Sequence, residues 1–66
     1  MQVFVNDEAV RCEPGATLAT LLEGRGVMTG GVAVAVDGEV APRETWAMVG
    51  LTEGCSVLII KASQGG

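Results

Sequence analysis

The chain has 66 residues, 48% of them hydrophobic and 18% charged, with eight acids against four bases and a formal net charge of −4. That length supports one small domain, burying about 60% of the surface its unfolded form exposes, and the apolar content excludes intrinsic disorder. The acidic balance excludes nucleic acid, which needs Lys and Arg opposite its phosphates, and suits a partner with a basic surface.

Met1, Val3 and Val5 alternate with Gln2, Phe4 and Asn6, a period of two that predicts a strand with the first set facing inward. Phe4 then falls on the outer sheet face, near Arg11 or Glu13, as an exposed aromatic and a candidate partner contact. Asn6, Asp7 and Glu8 supply turn chemistry, and Val10 and Cys12 continue a second strand against Arg11 and Glu13, completing an N-terminal hairpin. Pro14 and Gly15 break the ladder. Thr17 is placed to cap a helix carrying Leu18, Leu21 and Leu22 on one face, with Gly24 and Gly26 as stop signals. So short a helix persists only when docked on the sheet.

Val32 to Val36 predict a third strand, Asp37-Gly38 a two-residue turn, and Glu39-Val40 a short return that Pro42 ends. Trp46, Met48, Val49 and Leu51 read as apolar anchors in an irregular connection. Val57 to Ile60 form a continuous apolar run, which predicts a mid-sheet strand buried on both faces. The expected fold class is α+β: a mixed four- to five-stranded sheet with one packed helix. Residues 1–61 make the domain, and residues 62–66, without an apolar anchor, make a flexible C-terminal tail. Fully extended, that tail spans roughly 16–18 Å.

Catalysis by the chain itself is not expected. It contains no histidine, so Ser-His and Cys-His activation and the usual Cys/His metal sites are absent. The acids are spread over turns and outer faces, where solvation is their ordinary role. Gly30-Gly31 lacks the lysine and the preceding strand of a phosphate-binding loop. Cys12 takes an inward register as a small hydrophobe, whereas Cys55 falls in a partly exposed turn; neither has a neighbouring cation in sequence to activate it. Asp7 and Glu8 stand where a secretory leader would be apolar, and no run is long enough to span a bilayer. The expected location is cytoplasmic, with reduced thiols.

The remaining candidate is the chain end, Gly65-Gly66. A residue without Cβ lets a tail thread a narrow channel, and its terminal carbonyl is open from either side.

The order of elements resembles the ubiquitin-like β-grasp fold, and the opening Met1-Gln2-Val3-Phe4-Val5 is similar to the start of ubiquitin. More specifically, the chain resembles the ThiS-type sulfur carriers of thiamine biosynthesis along nearly its whole length. The match includes Val5-Asn6, Thr17-Leu18 with Leu21-Leu22, Ala35-Val36, and Val40-Ala41-Pro42-Arg43 with Trp46. It continues through Leu51, Glu53-Gly54 and Gly65-Gly66. The Pro-Arg…Trp element discriminates best, since many relatives share the diglycine.

The resemblance implies that Gly66 is adenylated and then converted to a thiocarboxylate, with Gly65 needed for access. It implies a ThiF-like adenylating enzyme that consumes ATP, a sulfur donor fed by cysteine desulfurase, and a ThiG-like thiazole synthase as acceptor. No cofactor or metal is bound by the chain itself. Two relatives of the same fold are the alternatives: a carrier like the small subunit of molybdopterin synthase, and a ubiquitin-like protein modifier. The single lysine, Lys61, argues against self-linked chains in the second case. A plain interaction domain with an incidental diglycine is the remaining possibility.

Overall fold

Two tight turns organise the sheet. In each, the leading residue and its successor adopt positive φ: Asn6 at 50° and Asp7 at 70°, then Asp37 at 50° and Gly38 at 85°. This backbone matches the right-handed twist of paired strands, and Asn, Asp and Gly tolerate it best. The first turn joins β1 (Gln2–Val5) to β2 (Glu8–Arg11), and the second joins β3 (Val32–Val36) to β4 (Glu39–Val40). The structure is a computed structural model that describes residues 1–26 and 31–61.

The last strand, β5 (Ser56–Lys61), runs between the two hairpins. The sheet order is β2-β1-β5-β3-β4. β5 lies parallel to β1 and antiparallel to β3, so the sheet is mixed and five-stranded. This agrees with the fold class expected from sequence.

Helix α1 (Leu18–Gly24) crosses one face. Thr17 and Thr20 exchange caps: Thr17 Oγ1 accepts from the Thr20 amide at 3.3 Å, and Thr20 Oγ1 from the Thr17 amide at 2.9 Å. These satisfy two amides at the helix start that have no partner within the helix. Gly26, with φ of 73°, closes the other end through its amide to the Glu23 carbonyl.

Leu18, Leu21 and Leu22 bury against Val3 and Val5 of β1, Val34 of β3 and Val57 of β5. A 3₁₀ helix at Arg43–Met48 closes the core by inserting Trp46, whose indole N–H donates to the Ala41 carbonyl at 2.8 Å. The sequence reads this segment only as an irregular connection. Six residues tightened behind Pro42 carry no hydrophobic period to reveal a helix. Backbone bonds from Leu18 to Val49 and from Leu51 to Ala16 then tie this segment to the start of α1.

Three burial expectations are corrected. Met48 is not an anchor but 80% exposed, because only Trp46 of the 3₁₀ helix turns into the core. β5 is mid-sheet as expected, yet only one of its faces is covered. Val57 is fully buried and Ile59 packs against the core, whereas Leu58 is 47% and Ile60 53% exposed. The described residues supply one helical layer, and none of them covers the opposite sheet face. Cys55, expected in a partly exposed turn, is buried in the core at 4% exposure, whereas Cys12 packs against the core half-buried, just beyond the end of β2. The turn before β5 draws Cys55 inward through its amide bond to the Thr52 carbonyl at 3.1 Å.

Candidate functional site

Among the described residues there is no enclosed reaction centre. No buried side chain is polar or charged, and no group of three or more His, Cys, Asp or Glu could hold a metal. A groove between β2 and α1, about 580 Å³, is lined by Val10, Cys12, Ala16 and Leu21 with Arg11, Arg25 and a single acid, Glu13. It offers no carboxylate pair for acid–base work and no activated nucleophile. Both thiols are unpaired in disulfide terms. Among the described residues no helix is long and apolar enough to cross a membrane.

What the fold does present is the face of the sheet opposite α1. Register puts Leu58 and Val40 both opposite Ala35, Ile60 opposite Ala33, and Phe4 beside Ser56. Directly paired residues project to one face. Phe4, Leu58, Ile60, Ala35 and Val40 therefore form an apolar strip running from β1 across β5 and β3 to β4. Phe4 is 37% exposed on this outer face, as expected. Its direct partner is Ala9, with Arg11 two pairs further along, opposite Gln2. The sequence identifies Phe4 but misses Leu58 and Ile60, because an unbroken apolar run does not show which alternate residues face inward. The signal that could have found them is the helix count: one amphipathic helix covers one sheet face.

β5 also carries the chain toward its end. Its first residue is held by a hairpin corner: the Asp37 amide donates to the Ser56 carbonyl at 2.7 Å, and Asp37 Oδ1 accepts from the Ser56 amide at 2.9 Å. Near its far end, the side-chain amide of Asn6 bonds to both backbone groups of Ile59. The site residues expected from sequence at the end of the chain, Gly65 and Gly66, lie outside the described residues.

Comparison with known proteins is consistent over the whole chain. The ThiS family model matches residues 2–66. The sulfur carrier protein ThiS of Escherichia coli (strain K12) is 35% identical over 66 residues, covering all of both chains. The crystal structure of the thiamine biosynthesis protein ThiS from Geobacter metallireducens superposes with a TM-score of 0.84 at 25% identity, again covering all of both chains. The solution structure of a thiamine biosynthesis protein from the same organism gives a TM-score of 0.79 at 26% identity over all of this chain and 88% of the other. With the β-grasp sheet, its packed helix and a family match over residues 2–66, the chain belongs to the ThiS family.

Proposed function

We propose that this protein is a sulfur carrier for thiazole formation in thiamine biosynthesis, working through the carboxylate of Gly66 rather than through a site of its own. The observation that carries this reading is the family match, which runs without interruption from residue 2 to residue 66 and so includes Gly65 and Gly66.

The chemistry follows from the carboxylate's weakness as an electrophile: it has no good leaving group. A ThiF-like enzyme would join the Gly66 carboxylate to the α-phosphate of ATP and release pyrophosphate. The terminal sulfur of a donor persulfide, charged by cysteine desulfurase, would then attack the carbonyl. The C–S bond forms, the C–O bond to phosphate breaks, AMP leaves with its electron pair, and an acyl disulfide to the donor results. A second thiol would then attack the donor sulfur of that acyl disulfide, closing a disulfide with the donor and releasing the thiocarboxylate, a better nucleophile than the carboxylate, able to pass sulfur to a ThiG-like thiazole synthase. ATP belongs to the partner, and the carrier needs neither cofactor nor catalytic residue. Gly65, without Cβ, would admit residues 62–66 to a narrow channel.

The open sheet face suits the docking step. The strand that displays Leu58 and Ile60 ends at Lys61, so an enzyme that takes in Gly66 sits within roughly 16–18 Å of this face. Phe4 is the proposed aromatic contact there.

The test is intact mass after incubation with ATP, a ThiF-type enzyme and a sulfur donor. One terminal oxygen should be replaced by sulfur. Deleting Gly66 should abolish the change, because it withdraws the carbonyl by roughly 3.5 Å from a reaction that needs its atoms about 3–3.5 Å apart. An unmodified full-length chain beside an authentic carrier that reacts would reject the proposal, and linkage to target lysines would favour a modifier instead.

A further inference from the structure

The parallel ladder between β1 and β5 continues one step further than its backbone allows, and the extra step is made by a side chain. The Phe4 amide donates to the Cys55 carbonyl and the Asn6 amide to the Val57 carbonyl, both at 2.9 Å. In a regular parallel ladder the Asn6 carbonyl would next accept from the Ile59 amide. The φ of 50° at Asn6 turns the main chain into the hairpin instead. The side chain replaces what the turn removes: Asn6 Oδ1 accepts from the Ile59 amide at 2.8 Å, and Nδ2 donates to the Ile59 carbonyl at 3.3 Å. On its other edge Ile59 is paired with Val34 of β3. Ile59 is thus held from both sides, although β1 ends at Val5.

We propose that Asn6 is a positioning residue for the carrier reaction: its side-chain amide fixes the direction in which β5 delivers the C-terminal segment to the adenylating enzyme. This rests on the carrier reading above. Asn suits the task because it alone combines tolerance of positive φ with a donor and an acceptor on one short side chain. Asp offers no donor when ionised, Gly offers neither group, and Gln places the amide one methylene further out. Asp37 is a built-in control. It clasps the same strand at Ser56, the end remote from Gly66, through one side-chain bond and one backbone bond.

The experiment compares Asn6→Gly with Asp37→Gly in the full chain, since glycine keeps the positive-φ turn in both cases. Pyrophosphate release is followed with ATP and a ThiF-type enzyme, well below the melting temperature of each variant, while amide exchange is followed by NMR. For Asn6→Gly, kcat should fall about tenfold, with KM for the carrier changing less than about twofold, because docking is intact and only alignment is lost. Protection of the Ile59 amide should fall while that of Val57 holds. Asp37→Gly should lower the melting temperature yet leave kcat unchanged, and Asn6→Asp, which keeps the acceptor alone, should fall between Asn6→Gly and wild type. Equal kcat in wild type and Asn6→Gly, or equal losses in the two glycine variants, would overturn the positioning role and leave the carrier reading standing. A wild-type chain that is never adenylated would overturn both.

Discussion

Cys55 lies among Val3, Val5, Leu51 and Val57 in the core cluster, with 4% of its surface exposed. A thiol there is a small hydrophobe filling space, shut off from any partner's sulfur. Cys55→Ser would bury a hydroxyl where the thiol now packs, costing about 1–3 kcal/mol if it finds no hydrogen-bond partner. Cys12→Ser, at a half-buried position, should cost less. Both variants should still accept sulfur at Gly66. Chemical denaturation gives the first effect and intact mass the second; loss of sulfur acceptance by folded Cys55→Ser would assign the thiol a role. The sequence places Cys55 in a turn but does not show that the turn folds inward. That depends on Gly54, whose φ is 80° and whose amide reaches the Gln2 carbonyl at 2.7 Å, a contact 52 positions away in the chain.

At the level of elements, the helix's N-cap and apolar face are legible in the sequence and the segment after Pro42 is not. Thr17, Leu18, Leu21 and Leu22 state a cap and an apolar face in local terms, and the structure uses them as such. The capping pair with Thr20 was not anticipated, since threonine at that position is an unusual substitute for Glu or Gln. Thr17→Ala should lower stability by about 1 kcal/mol without moving the helix, as measured by denaturant midpoint. A change below about 0.3 kcal/mol would mean that the bonds from Leu18 to Val49 and Leu51 to Ala16 already fix the helix start. The 3₁₀ helix is invisible locally because one tertiary event, the insertion of Trp46, decides its shape. In the sequence Asn6 is turn chemistry only; its bond to Ile59 appears once β5 lies beside β1.

For the molecule as a whole, the asymmetry of the sheet matters most. One face is sealed by α1 and Trp46, and the other displays Phe4, Leu58, Ile60 and Val40. Replacing Phe4 by Ala removes a side chain that supports little of the core, so the melting temperature should move by only a few degrees. Binding to the adenylating enzyme should weaken about tenfold or more, as expected for an aromatic anchor on a docking face. Calorimetric titration and thermal melts separate the two effects, and a large loss of thermal stability would place Phe4 among the structural residues instead. The same strip shows why the candidate site was only half legible. Position in the chain proposes Gly66, which lies outside the described residues, and alternation finds the exposed Phe4, but Leu58 and Ile60 depend on how many layers the fold has.

The central place of β5 also governs when this protein can come into being. Its neighbours are two hairpins with no direct pairing to each other, and a lone hairpin is at best marginally stable in water. A ribosome makes the N-terminal hairpin first and β5 last, so a nascent chain halted before Ser56 has neither half of its sheet secured. Folding of this sheet must wait until β5 has been made, and chains without it remain open to proteases. Molecules that survive as folded protein are thus screened for possession of β5, the strand that joins the two halves of the sheet.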